Sequence, residues 1–199
     1  MEITHCEVSC HLLQIYAASC NTRASFRNYV ITALYSGLRN PCEMTALKWA
    51  DHIDFVEEVI KVRRRVLKIE GETKTEAGNR NVPLLPMVKK ALKDQKKFSD
   101  LTSEYVFLHP ATNKLIEHPQ LVRLWKTLHK KAGVRWRPPK QTRHTFISMM
   151  CMSGENIFGL AKIVGHKNAK MIFENYMRFI KDANTSHAHT FVNDWSKIA

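Results

Sequence analysis

Acidic side chains are in short supply. The 199 residues carry 18 Asp and Glu against 31 Lys and Arg, a net charge of +13. Such an imbalance points to a polyanionic partner, and nucleic acid is the first of these. A membrane surface is the rival. Long apolar runs are missing as well, and none approaches the roughly 20 residues of a spanning helix. The opening MEITHCEVSC lacks the basic-then-apolar pattern of an export signal, so the expected compartment is the cytoplasm. Paired cysteines are also missing. Cys6, Cys10, Cys20, Cys42 and Cys151 are odd in number and scattered, with no CxxC. Cys6, Cys10 and His11 lie close together, but no second ligand pair follows at zinc-finger spacing. Free thiols in a reducing compartment are expected, and no metal site. There is no internal repeat and no low-complexity linker. Hydrophobic residues make up 44%, enough to build a core.

The periodicity places helices at both ends and a small sheet between them. Val8, Leu12, Leu13, Ile15 and Tyr16 fall at helical spacing over residues 4–19. ASFRNYVITALYSG, residues 24–37, predicts a second buried helix that stops at Gly37. EMTALKWA predicts a short third helix. EEVIKVRRRVLKI then partly alternates and is rich in Val and Ile, and GETKTEAGNRNVPLL adds a turn and another short strand. Residues 57–85 therefore read as a small antiparallel sheet. PMVKKALKDQKKF opens a helix on proline, and EYVFLHP is a short apolar run before a turn. Helical spacing returns at 118–132, 141–153, 155–164 and 168–180. The fold class is α+β, mainly helical, with a small antiparallel sheet.

Several polar residues could carry chemistry, and each has a plainer explanation. Arg39 follows a hydrophobic helix, where it could answer the helix dipole. Lys74 sits in the polar turn of the hairpin and reads equally as a solvated lysine. Lys140 and Arg143, three apart, share one helical face and could meet one anion, with or without catalysis. His166 follows Gly165 at a helix end and could be a cap. Tyr176 lies among Ile172, Phe173 and Phe179, so packing is its default role.

Their order along the chain is more specific than any one of them. From about residue 24 to residue 180 the sequence resembles the catalytic domain of the tyrosine recombinases, the phage integrase family. ALYSGLRNPCEMTALKWADHIDF is similar to the first box, with Arg39 as its arginine. ETKTEAGNRNVPL is similar to the β-hairpin segment, with Lys74 as its lysine. PPKQTRHTF is similar to the second box, with Arg143. IVGHKNAKMIFENYMRF is similar to the closing segment, with His166 and the nucleophile Tyr176. Two departures stand out. Lys140 occupies the position where the second box usually has histidine. The first box carries an extra residue between Arg39 and Glu43, and another within WADHID.

The resemblance implies a site-specific DNA recombinase, a prophage or mobile-element integrase. Its reaction would pass through a 3′-phosphotyrosyl link at Tyr176. Arg39 and Arg143 would stabilise the pentacoordinate phosphorus with help from Lys140 and His166, and Lys74 would protonate the leaving 5′ oxygen. No cofactor is implied, because the arginines take the part a divalent ion plays in many nucleases. Arg63, Arg64, Arg65, Lys130, Lys131, Arg135 and Arg137 would hold the backbone of double-stranded DNA, although a solvated face is the plainer reading of both runs. A tetramer on DNA is expected. Residues 1–180 would form the catalytic domain, without the N-terminal DNA-binding domains usual in the family. Residues 181–199 would form a tail whose Phe191, Val192, Trp195 and Ile198 pack in cis or on a neighbour. The alternatives are a relaxing enzyme of the type IB topoisomerase kind, and a DNA-binding regulator or remnant that has lost catalysis.

Overall fold

The computed structural model describes residues 5–63, 79–166 and 168–174, with side chains from residue 13 onward. Two long helices open the chain, α1 (His5–Cys20) and α2 (Ala24–Tyr35). Two single turns follow, α3 (Cys42–Thr45) and α4 (Trp49–His52). The strands β1 (Ile53–Asp54), β2 (Val59–Val62) and β3 (Arg80–Pro83) form an antiparallel sheet in that order. Then come α5 (Pro86–Ser99), α6 (His118–Ala132), α7 (Gln141–Met152) and α8 (Ile157–Val164). Residues 170–174 are again helical. No described helix is long and apolar enough to cross a membrane.

The mainly helical α+β class expected from the periodicity is what the chain adopts. Three details differ. EMTALKWA does not form one helix: the chain makes one turn at α3, bends at Leu47–Lys48 and makes another at α4. The bend lets Lys48 bridge to Tyr105, and Val106 N–H donates to the Leu47 carbonyl at 2.8 Å, so the apolar run at 105–107 draws the segment out of helix. The sheet also starts earlier than residue 57, because Ile53 and Asp54 pair with Ile60 and Val59. Helix α8 starts at Ile157 rather than 155, since the Asn156 side chain accepts the N–H groups of Phe158 and Gly159 at 2.9 and 3.2 Å.

Helix α2 is the centre. Phe26, Tyr29, Val30, Ile31, Ala33 and Leu34 are buried, and the helix packs on α5, α1 and α7. Its buried polar residues are satisfied: Asn28 donates to Asp94 at 3.0 Å, and the Tyr29 hydroxyl donates to Asn40 Oδ1 at 2.5 Å. The main core runs from α1 and α2 through the sheet and α5 to Trp125 and Leu128 of α6. A second apolar cluster joins α7 and α8 through Phe146, Ile147, Cys151, Leu160 and Val164. Leu85, Met149 and Ile163 pack against both clusters and tie them together.

Gly37 sits where the two clusters meet. Its φ is +66°, and a Cβ there would lie 2.6 Å from Phe146 Cδ1 on α7. The stop after α2 therefore serves a turn and a close approach at once. Gly37→Ala should destabilise the domain by about 2–4 kcal/mol, combining left-handed strain with overpacking. Adding Phe146→Leu should recover part of that loss. Thermal unfolding of the two single variants and the double variant checks this, and strict additivity would show that Phe146 is not the obstacle.

Candidate active site

The site begins with two chain reversals. At the end of α8, Gly165 adopts φ 70°, and its N–H bonds the Lys162 carbonyl at 3.1 Å. The N–H of His166 reaches back to the Ala161 carbonyl at 2.9 Å. This paired closure is a Schellman motif, which sets His166 immediately beyond the helix end. At the end of α2, the Gly37 turn buries Leu38 completely and leaves Arg39 half-buried, its side chain 41% exposed. Sequence order thus puts a glycine directly before the buried leucine that fixes Arg39, and another directly before His166.

Arg39 is held on several sides. Its Nη1 donates to Glu43 Oε1 at 2.6 Å, and its backbone N–H donates to Glu43 Oε2 at 2.7 Å. Its Nη2 donates to the carbonyl of Gly165 at 3.1 Å. Arg39 does answer a helix C-terminus, but that of α8 and not that of the helix it follows. Arg143, on the first turn of α7, is only 8% exposed. Its Nη1 donates to the Gly37 carbonyl at 3.0 Å. Arg39 and Arg143 thus grip the two reversals from opposite ends of the chain.

His166 feels both of these charges. Burial comes first, followed by the charges of Arg143, Arg39, His144 and Arg80, and together they hold its imidazole down to about 4. At neutral pH the ring is uncharged. Its Nδ1 is buried with no hydrogen-bond partner among the described residues.

Two residues of this arrangement were not singled out from the sequence. Glu43 is 4% exposed and Arg80 is 8% exposed. Arg80 Nη1 and Nη2 donate to Glu43 Oε1 and Oε2 at 3.0 and 2.8 Å, a bidentate pair, and Arg80 Nε donates to the Ile163 carbonyl at 2.7 Å. Burial raises the Glu43 carboxyl, but hydrogen bonds and charge from Arg80, then from Arg39, outweigh it and bring it to about 2. A signal was available. Arg80, Val82 and Leu84 fall at period two, and β3 turns Arg80 and Val82 inward. A charge in phase with an apolar strand face requires a buried partner.

The structure brings Arg39, Arg143 and His166 together. Lys140 directly precedes α7, three residues before Arg143, and is exposed. Arg63 lies along β3, donating to the Arg80 carbonyl at 3.1 Å and to Asn81 Oδ1 at 2.7 Å. Lys130 and Lys131 end α6, Arg135 is exposed in the loop that follows, and Arg137 is half-buried there, its carbonyl accepting from Trp125 Nε1 at 3.0 Å. Lys74, Arg64, Arg65, Tyr176 and the tail at 181–199 lie outside the described residues. Among the described residues no group of His, Cys, Asp and Glu could hold a metal ion.

Comparison with known proteins agrees with this geometry. The model of the phage integrase family matches residues 9–182. The prophage integrase IntR of Escherichia coli K12 is 35% identical, across 76% of this chain and 43% of its own length. The chain therefore spans less than half of that relative. The integrase of the Tn1549 transposon, solved in complex with a circular intermediate DNA, superposes with a TM-score of 0.72 at 23% identity, covering 88% of this chain and 61% of the other. The XerA recombinase gives 0.68 at 22% identity, with 89% and 61% covered. At those identities the two structures establish a shared fold.

The two depressed groups act on stability in different pH windows. Unfolding frees His166 to bind a proton, so its contribution is full above 6.5 and drains towards about 4. The contribution of Glu43 is full above 4.5 and drains towards about 2. Urea unfolding between pH 7 and pH 3 should show both losses. Glu43→Gln should be less stable at pH 7 by about 3–5 kcal/mol, as expected for a broken buried pair. It should also lose most of the acid limb below about 4, where the His166 contribution is already spent. A variant that kept that limb would assign it to another carboxylate.

Proposed function

The chain belongs to the phage integrase family, and from that premise we propose that it cleaves and rejoins double-stranded DNA at specific sites as the recombinase of a prophage or mobile element. One observation carries the proposal. Two guanidiniums far apart in sequence, Arg39 and Arg143, are fixed by backbone carbonyls, and both act on one uncharged imidazole. That arrangement suits a phosphodiester. The scissile phosphate is anionic, and its charge grows as a fifth oxygen approaches phosphorus. Donors already held in place stabilise this state without reorganising.

In the proposed reaction the Tyr176 phenolic oxygen attacks phosphorus. The bond to the 5′ oxygen breaks, and that oxygen takes a proton from Lys74. The products are a 3′-phosphotyrosine and a 5′ hydroxyl. A 5′ hydroxyl from a second strand then attacks phosphorus and releases the tyrosine. Phenol titrates near pH 10, so its proton needs an acceptor or a strongly positive pocket. Neutral His166 has one donor and one acceptor nitrogen, so it can bond a phosphate oxygen and still take a proton. Lys140 donates to a phosphate oxygen where the family usually has histidine, but it is a poorer acceptor at neutral pH.

The basic residues from Lys130 to Arg137 lead into α7, and we assign them to the DNA backbone with Arg63, Arg64 and Arg65. Assembly as a tetramer on DNA in the cytoplasm, with the tail at 181–199 joining protomers, completes the reading.

Covalent trapping tests it. A nicked duplex that sheds a short fragment after cleavage should leave a denaturant-resistant protein–DNA band. Tyr176→Phe should abolish the band, and Arg39→Ala should slow its formation by about 10²–10³-fold, the usual effect of losing one oxyanion donor. A band that survived Tyr176→Phe would move the nucleophile elsewhere. Filter binding that stays intact while the parent chain gives no band would favour a DNA-binding protein without catalysis. In a separate measurement, the His166 ring should titrate near 4 in the free chain and higher once duplex is added, because a neighbouring phosphate favours imidazolium. NMR titration of the histidine rings follows this directly.

A further inference from the structure

We propose that Arg80 is a positioning residue for this chemistry, setting Arg39 through Glu43 and the His166 turn through the Ile163 carbonyl. The inference rests on the functional reading above and adds a residue to it. Arg80 opens β3, six positions after Lys74 in the sequence. From that point one guanidinium reaches two other parts of the site. Its two Nη atoms take both oxygens of Glu43, which is the same carboxylate that receives Arg39 Nη1 and the Arg39 N–H. Its Nε takes the carbonyl of Ile163 at 2.7 Å, two residues before the Gly165 carbonyl that Arg39 holds. The loop carrying Arg39, the start of β3 and the helix end carrying His166 therefore share one buried junction.

Only an arginine fits this junction. A planar fork can direct parallel N–H groups at a carboxylate while its Nε points elsewhere. A lysine at position 80 would keep the charge beside Glu43 but would offer a single nitrogen. It could not hold the carboxylate in a bidentate grip and the Ile163 carbonyl together. Glu43 would then be free to turn towards Arg39, and the end of α8 would lose one of its two arginine contacts. Arg80 is buried and touches the backbone from within, so it acts on the phosphate through Arg39 and the turn.

The test uses the 199-residue chain with Arg80→Lys, which keeps the buried charge paired, and Arg80→Met as a second variant. Thermal melts and amide spectra establish that the variants fold. DNA affinity by filter binding should change by less than about threefold, because the surface cations are untouched. Formation of the covalent band should slow by about 100-fold in Arg80→Lys, the scale expected when a reacting group is misplaced by about 1 Å. A duplex with an uncharged methylphosphonate at the scissile position removes the oxygen charge that Arg39 serves. On that substrate the deficit should narrow to less than about tenfold. A folded Arg80→Lys chain that cleaves like the parent overturns the proposal, as does a deficit that stays at full size on the methylphosphonate.

Should the parent chain give no Tyr176-dependent band, the functional reading fails, and the free protein decides this one. In that case the His166 ring should titrate closer to its ordinary value in Arg80→Lys than in the parent, because the turn that buries it has loosened. An unchanged titration in a folded variant would show that Arg80 does not position the turn.

Discussion

The Glu43 carboxylate is the constraint on which the site depends. It is buried, and it binds two guanidiniums and a backbone N–H at once. A carboxylate taken out of water is very unfavourable by itself, and so is a buried guanidinium. Together, with their remaining donors on carbonyls, they satisfy one another. The consequence is rigidity at a place where the chain would otherwise be a loop. Arg39 has no regular secondary structure around it, yet its direction is fixed from its own backbone, from Glu43 and from the end of α8.

Cations outnumber anions around that junction. Arg39 and Arg80 share the Glu43 carboxylate, Arg143 adds a third charge near His166, and that imidazole stays neutral because it is buried and because another positive charge there is unfavourable. The pocket is left with an excess of positive charge and with donors held by carbonyls. A phosphate would balance it. The depressed imidazole and the depressed carboxyl therefore share one cause, the charge of Arg39 and Arg80, although burial lowers the imidazole and raises the carboxyl. The same arginines that make protonation of His166 difficult make protonation of Glu43 difficult.

Much of this fold was legible because local chemistry and tertiary packing agree. Helix α6 runs from a Pro-containing first turn to Gly133 in the left-handed conformation, and both boundaries are written in the sequence. The stop at Gly37 was legible in the same way, but its reason was not, because Phe146 lies on another helix far along the chain. Arg39, Arg143 and His166 stood out through their family order, and packing then explains how they meet. Arg80 is less legible, because GNRNVPLL shows a turn and a short strand, and only the parity of the arginine with Val82 marks it as buried. The EMTALKWA segment misled for the opposite reason. Its helical composition is real, but a bridge to Tyr105 competes for the same backbone and wins.

The contacts that hold the two reversals join residues 126 and 106 positions apart. During synthesis the first half of the chain emerges well before Gly165 and Arg143, at about 5–20 residues per second. A chain that ends before Arg143 already has Glu43 and Arg80 beside Arg39, but it lacks the Gly165 carbonyl and the Arg143 guanidinium. The junction of the two reversals therefore forms only after residue 165 has been made. A ribosome that stalls halfway releases a product in which the two reversals are not joined, so the site is assembled late however early its first arginine emerges.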